Sequence, residues 1–128
     1  MKGSRTDGQR PLRGERILVV DDEMLIGLDL EYIFVSAGAD VVGPCTTLAE
    51  AMHAATSEDL SAAVLDIRLG HQTTEPVARL LDDRRIPFVF YTGQPPATVA
   101  HFRGHAPLIV KPAREASLVE AMVQLLEG

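Results

Sequence analysis

The chain contains a single cysteine, Cys45, among its 128 residues, so it cannot form an intramolecular disulfide. This fits a reducing compartment. No apolar run reaches the roughly 18 residues of a membrane-spanning helix, and the longest candidate, 24–35, is interrupted by Asp29 and Glu31. The first 16 residues also lack the apolar core of a secretory signal. We therefore expect a soluble, cytoplasmic protein that has no membrane partner.

Positive charge is scarce, with 12 Lys and Arg against 18 Asp and Glu, and the net charge is −6. Residues 1–16 carry a net charge of about +3, which leaves about −9 for the remainder. Such an acidic body repels phosphate backbones, so we expect no nucleic-acid partner for it. Residues 1–15 hold three glycines, one proline and no periodic apolar face, which predicts a flexible basic arm before one domain at 16–128. The arm reads as a disordered leader or as a basic interaction segment.

Beyond the arm, short apolar runs alternate with helical patterns. Apolar runs typical of buried strands lie at 17–20, 40–43, 62–65, 86–91 and 108–110. Helical patterns lie at 23–37, 47–56, 76–84 and 114–126, residues 70–73 read as a loop, and the prolines and glycine within 94–106 allow only a short helix. The alternation predicts an α/β fold with a doubly wound, five-stranded parallel sheet in the flavodoxin-like order 2-1-3-4-5 and helices on both faces.

Polar side chains follow four of the five predicted strands. Asp21 and Asp22 end the first, Asp66 the third, Thr92 the fourth and Lys111 the fifth. Each has an ordinary explanation alone, as a helix cap, strand filler or surface lysine. Together they lie at the edge of the sheet where ligands bind. Three carboxylates without His or Cys favour a hard cation, most plausibly Mg²⁺. With a lysine and a hydroxyl to hold phosphoryl oxygens, the set predicts phosphoryl transfer onto an aspartate.

The segments at 17–23, 64–66, 91–93 and 110–112 resemble, in order and spacing, the four signature segments of CheY-like response-regulator receiver domains. The resemblance covers about residues 15–127. It implies a single-domain receiver that accepts a phosphoryl group on Asp66 from a histidine kinase or a phosphotransfer protein, and that is not an enzyme acting on a separate substrate. Thr92 and Lys111 would contact the phosphoryl group, and the Lys111–Pro112 bond would be cis.

The same resemblance implies the ligands of a Mg²⁺ ion. These would be Asp22, Asp66 and the backbone carbonyl of Arg68, with Asp21 acting through water. Arg68 and Gln94 occupy positions that tune hydrolysis of the phosphoryl group in receivers. We expect Arg68 to pair with the phosphoryl group or with Asp22, although an exposed arginine with no such role fits the sequence equally well.

The chain departs from the usual receiver pattern in the region that reports phosphorylation. Leu108 stands where receivers carry an aromatic residue, three positions before the lysine. The Phe-Tyr-Thr-Gly segment at 90–93 resembles the Phe-Ala-Thr-Gly-like segment of a stand-alone receiver subgroup. We therefore expect the signal to pass as ordering of residues 94–106.

Two alternative functions fit the sequence less well. A haloacid-dehalogenase-type hydrolase needs an aspartate two residues after its nucleophile, where this chain has Arg68. A degenerate receiver that is never phosphorylated conflicts with the complete polar set. We expect no attached output domain, a monomer or weak homodimer, and either contacts with an unknown downstream protein through the fourth helix, fifth strand and fifth helix or service as a phosphate sink. The four histidines have no metal-ligand spacing, and Cys45 reads as a packing residue.

Overall fold

The computed structural model describes residues 10–93 and 106–128. Seven strands lie in this part of the chain: β1 (Arg16–Val20), β2 (Asp40–Cys45), β3 (Ala62–Leu65), β4 (Arg68–Leu69), β5 (Gln72–Thr73), β6 (Phe88–Thr92) and β7 (Leu108–Val110). Four helices lie in the same ranges: α1 (Met24–Ser36), α2 (Leu48–Ser57), α3 (Glu75–Asp83) and α4 (Glu115–Glu127). None of these helices is long and apolar enough to cross a membrane.

Five strands form one parallel sheet in the order β2-β1-β3-β6-β7. Counting only these five strands, this is the predicted order 2-1-3-4-5, and the prediction is confirmed. The chain order reverses at β1, which lies between β2 and β3, and such a switch point is where doubly wound sheets bind ligands. The fold therefore directs attention to the carboxyl ends of β1 and β3.

The sheet is covered on both faces, which explains why its strands are continuous apolar runs rather than alternating ones. In β1, Leu18 and Val20 pack into one core with buried residues of α2 and α3. Ile17 and Val19 point the other way, into a second core with buried residues of α1 and α4. All four of these strand residues are fully buried. The central strands are thus held from two sides, and their carboxyl ends form a rigid base for the residues that follow.

The start of α2 follows the capping pattern in the sequence. Thr47 Oγ1 accepts a hydrogen bond from Glu50 N at 3.1 Å, so the helix begins at Leu48. Glu50 reaches back to Thr46 N at 3.0 Å, one residue earlier than in the usual capping box. This backbone hydrogen bond is the main reason that the pKa of Glu50 is lowered.

Local predictions differ from the structure at the arm, at the loop and at the end of the second strand. The predicted arm includes residues 10–15, but Leu12 is fully buried and its amide donates to Ala37 O at 2.9 Å. A single apolar residue produces no periodicity, so the pattern could not reveal it. Residues 1–9 lie outside the described ranges. The predicted loop at 70–73 is partly a hairpin, because β4 and β5 pair antiparallel around Gly70 and His71.

The strand β2 also continues past its predicted end at residue 43, to Cys45. Gly43 has a φ of +103°, and a Cβ atom there would lie 2.7 Å from Val19 O. Only glycine fits this conformation and this close approach. The peptide bond between Gly43 and Pro44 is cis. Glycine and proline usually end a strand, so the sequence pattern does not indicate that β2 continues through them.

Candidate functional site

The sheet register brings two aspartates together at its carboxyl edge. Val20 in β1 pairs with Leu65 in β3, so the residues that follow them, Asp21 and Asp66, are neighbours. Asp21 N donates to Cys45 O at 3.0 Å, and Asp66 N donates to Val20 O at 2.9 Å. Both side chains are buried, Asp21 at 1% and Asp66 at 10% exposure. The backbone pairing of the sheet therefore fixes the position of both carboxylates.

Asp22 completes a group of three carboxylates. Asp21, Asp22 and Asp66 each place one carboxylate oxygen within 4.8 Å of the others. Asp22 is exposed, and its Oδ2 accepts a hydrogen bond from Gly70 N in the β4–β5 hairpin at 2.8 Å. The site thus has a buried floor made by two aspartates and an open side made by the third.

Lys111 supplies the positive charge within this group. Its Nζ lies 2.8 Å from Asp21 Oδ2, 2.9 Å from Asp66 Oδ2 and 3.7 Å from Glu23 Oε1. The lysine follows β7, and its amide donates to Thr92 O at 2.9 Å, which continues the pairing of β6 with β7. The Lys111–Pro112 bond is cis, as the resemblance implied. One ammonium group thus serves two buried carboxylates.

Burial and charge oppose each other at these groups. Burial raises the pKa of Asp21 despite the contact with Lys111, and the neighbouring charge of Asp66 raises this pKa further. Burial lowers the pKa of Lys111, but the hydrogen bonds and charges of Asp21 and Asp66 outweigh burial, so the pKa of Lys111 is raised. The lysine is therefore a cation near neutral pH, and it is one positive charge beside three carboxylates.

The residues fit a hard divalent cation. Asp21 Oδ2 is buried, and its contact within the described ranges is the ion pair with Lys111 Nζ at 2.8 Å. Three carboxylates that share one lysine can offer further oxygen atoms to a cation, and carboxylate oxygens are the ligands that Mg²⁺ prefers. The expected carbonyl ligand, Arg68, lies at the start of β4, two residues beyond Asp66. Its role as a ligand stays a prediction.

A residue that the sequence analysis missed holds the loop after Asp66. Thr74 is fully buried, and its Oγ1 donates to Asp66 O at 2.6 Å. Its amide donates to Ile67 O at 2.9 Å, and Ile67 N donates to Asp66 Oδ1 at 2.7 Å. Thr74 stands at the N-cap of α3 but makes no side-chain cap. A threonine just before a helix reads as a cap in the sequence, so its tertiary role was hidden.

The remaining predicted residues have different outcomes. Thr92 is fully buried at the end of β6. Leu108 is half-buried, pairs with Phe90 across the sheet and packs against the core. Arg68 is exposed and forms no ion pair within the described ranges, and Asp22 accepts from Gly70 instead, so the expected Arg68–Asp22 pair is not formed.

Gln94 and the expected short helix at 94–106 lie outside the described residues. Cys45 is a buried packing residue, as predicted, and burial raises the pKa of its thiol to about 11.

Comparison with known proteins agrees with this arrangement. No protein-family model matches the chain. The phyllosphere-induced regulator PhyR of Methylorubrum extorquens is 32% identical over 114 residues, which make up 86% of this chain and 43% of that regulator. The chain thus spans less than half the length of this relative.

Two solved structures share the fold over most of both chains. A response regulator receiver protein from Sinorhizobium medicae is 29% identical, with a TM-score of 0.81, covering 91% of this chain and 98% of its own. The receiver domain of PhyR from Erythrobacter litoralis is 25% identical, with a TM-score of 0.80, covering 91% and 93%. The chain therefore has the CheY-like fold of response-regulator receiver domains, as its motifs predicted.

Proposed function

We propose that this receiver is a phosphorylation switch that accepts a phosphoryl group on Asp66 in a Mg²⁺-dependent reaction. The observation that carries the proposal is the position of Lys111 Nζ, 2.8 Å from Asp21 and 2.9 Å from Asp66, beside a third carboxylate at Asp22. The phosphodonor is a histidine kinase or a phosphotransfer protein. The chain acts as a cytoplasmic signalling domain and not as an enzyme on a separate substrate.

The residues of the site have distinct tasks in this reaction. A carboxylate oxygen of Asp66 attacks phosphorus, the bond from phosphorus to the donor nitrogen breaks, and an acyl phosphate forms on Asp66. Lys111 pairs with Asp66 Oδ2 before transfer and is close enough to pair with a phosphoryl oxygen afterwards. The Thr92 hydroxyl would hold a second phosphoryl oxygen. Asp21, Asp22 and Asp66 would hold Mg²⁺, which neutralises the charge that the phosphoryl group brings.

The test of this function is phosphorylation by acetyl phosphate with Mg²⁺, followed by intact-protein mass spectrometry. Wild type should gain one phosphoryl group, and Asp66→Asn should gain none. Asp40→Asn removes an exposed carboxylate at the start of β2, far from the site, and should behave as wild type. Equal labelling of wild type and Asp66→Asn would refute Asp66 as the acceptor, and absence of labelling in both would favour a receiver that is never phosphorylated.

Mg²⁺ binding can be tested without any phosphodonor. A ligand that binds only the folded state at ten times its dissociation constant stabilises the protein by about 1.4 kcal/mol. We expect Mg²⁺ to raise the melting temperature of wild type, and Asp22→Asn to lose most of this increase because it removes the exposed ligand. An equal increase in both proteins, or an equal increase with Na⁺ at matched ionic strength, would contradict the assigned site.

One surface beside the site is suited to a protein partner. Met24 (49%) is exposed at the start of α1, and the outer face of the helix exposes four further large apolar side chains: Leu25 (83%), Leu28 (46%), Tyr32 (67%) and Val35 (51%). Their spacing of three and four residues makes one stripe on the helix, which begins just after Asp21 and Asp22. Exposed apolar patches of this kind mark interaction sites. We assign this stripe to contact with the phosphodonor protein.

Comparing a small-molecule phosphodonor with a protein phosphodonor distinguishes an effect on protein contact from an effect on the phosphorylation reaction. Leu25→Lys should slow transfer from the cognate kinase and leave phosphorylation by acetyl phosphate unchanged. Gln124→Lys adds the same charge at an exposed position of α4 and serves as the matched control. Kinase transfer that is equally fast in all three proteins would remove the α1 stripe from the interface.

A further inference from the structure

Tyr91 lies in β6, directly before Thr92, where the predicted stand-alone subgroup has a small residue. Its side chain is 7% exposed and packs in the core beneath α4 with Leu118 and Met122. The register of β6 with β7 places Tyr91 opposite Ile109, two residues before Lys111. The aromatic ring therefore lies under the segment that carries the lysine.

Two contacts join Tyr91 to that segment. Lys111 Nζ lies 5.7 Å from the centre of the Tyr91 ring, within the range of a cation–π interaction. The Tyr91 hydroxyl oxygen accepts a hydrogen bond from Ala113 N at 3.1 Å. The cis Lys111–Pro112 bond lies between these two contact points. Tyr91 thus touches the functional side chain and also holds the backbone two residues further on.

Core packing alone does not explain these contacts. A phenylalanine would fill the same space, but it could not accept the Ala113 hydrogen bond. Proline has no amide hydrogen, so Pro112 cannot help to hold this turn by donating. The backbone between Lys111 and α4 is short. The Tyr91 hydroxyl oxygen accepts a hydrogen bond from the first backbone amide after the proline, that of Ala113.

We propose that Tyr91 is a positioning residue for Lys111, holding the ammonium between Asp21 and Asp66 from below while its hydroxyl anchors the turn after the lysine. This inference rests on the proposed function for its effect on phosphorylation, but the position of Lys111 can be measured without that function. Tyr91 touches neither the phosphodonor nor the reacting atoms in this arrangement. Its influence passes through Lys111 alone.

Two variants separate the two contacts. Tyr91→Phe removes the hydroxyl and keeps the ring, and Tyr91→Leu removes both. Tyr32→Phe removes the hydroxyl of an exposed tyrosine on α1 and is the matched control. We expect Tyr91→Phe to accept phosphate from acetyl phosphate about fivefold more slowly than wild type, the effect of about one hydrogen bond. Tyr91→Leu should be slower still, and Tyr32→Phe should match wild type.

A double-mutant cycle shows whether the effect passes through the lysine. In a Lys111→Ala background, Tyr91→Phe should cause no further loss, because the group that it positions is gone. A loss of the same size in both backgrounds would overturn the proposal and leave Tyr91 a purely structural residue. Mg²⁺ affinity should stay within about twofold of wild type in Tyr91→Phe, since the carboxylate ligands are untouched.

The unphosphorylated protein provides the independent readout. The side-chain NMR signals of Lys111, identified by their loss in Lys111→Ala, should lie upfield of those of other lysines because of the Tyr91 ring. They should shift toward ordinary values in Tyr91→Leu and stay unchanged in Tyr32→Phe. Ordinary shifts in wild type would overturn the proposal. If wild type is never phosphorylated but the NMR result holds, the proposed function fails and the positioning role stands.

Discussion

The two ends of the central strands differ in how their charged side chains are paired. At the amino end, two arginines have separate acceptors: Arg16 pairs with Glu58 at 2.8 Å, and Arg84 Nη1 donates to Ala55 O at 2.6 Å and Glu58 O at 3.0 Å. At the carboxyl end, one lysine serves two buried carboxylates, with a third close by. The two arginines at the first end thus have acceptors of their own, whereas at the second end one lysine lies among three carboxylates.

This difference indicates that the carboxyl edge of the sheet is arranged for ligand binding at the expense of stability. Grouping like charges in a partly buried place is costly without compensation. The cost is tolerated at the edge of the sheet where a cation would bind, and it is absent where no ligand is expected. Four substitutions can break or sharpen this contrast, and they follow in order of decreasing effect.

Lys111→Met should have the largest effect on stability. Removing the cation leaves Asp21 and Asp66 buried without a partner, and we expect a loss of about 3 kcal/mol in the free energy of unfolding near neutral pH. The loss should shrink as the pH falls, because protonated carboxyls need no cation. Urea denaturation at several pH values measures both effects. A loss that does not vary with pH would mean that Lys111 acts through packing.

Arg84→Ala should cost about 1.5 kcal/mol, because two carbonyl groups lose a charged donor. The loss should be the same at all pH values where the carboxylates are ionised, since no titrating partner is involved. Phosphorylation by acetyl phosphate should be unaffected. Urea denaturation of the variant beside Arg79→Ala, which removes only an exposed helix pair, provides the control. A slower phosphorylation would connect the two ends and weaken the contrast.

Asp21→Asn should change how stability depends on pH. Because the folded protein raises the pKa of Asp21 above its ordinary 3.8, the folded state binds this proton more tightly than the unfolded state does. That contribution to stability is fully present below 3.8 and is lost as the pH rises through the raised value. Without divalent cations, the variant should therefore show a flatter curve of stability against pH above 3.8. Parallel curves would contradict the assignment.

Glu58→Gln should have the smallest effect, about 0.5 kcal/mol, because both side chains of the Arg16–Glu58 pair are about 40% exposed and screened by water. Added salt should reduce the difference from wild type further. Thermal unfolding at low and high ionic strength measures it. A loss as large as that of Arg84→Ala would mean that the amino end depends on this pair more than its exposure suggests.

Sequence patterns predicted the sheet, its order and the location of Asp21, Asp22, Asp66 and Lys111, because buried parallel strands are apolar runs and their carboxyl ends meet. They did not predict the contacts of Thr74 or the burial of Leu12, since these depend on segments that meet only in the folded chain. Arg68 illustrates the limit of a resemblance. Of the two partners expected for it, Asp22 accepts a hydrogen bond from Gly70 N instead, and pairing with the phosphoryl group stays a prediction.

The hydrogen bond from Gly70 N to Asp22 Oδ2 connects the β4–β5 hairpin to the group of three carboxylates. A cation bound to the Asp22 carboxylate would withdraw electron density from it and so weaken the hydrogen bond that it accepts from Gly70 N. The Gly70 amide therefore becomes a spectroscopic reporter, whose proton resonance should move when the site fills. Binding of a cation at the carboxylates could then be followed by the cross-peak of this amide, without an added probe group and without a substitution.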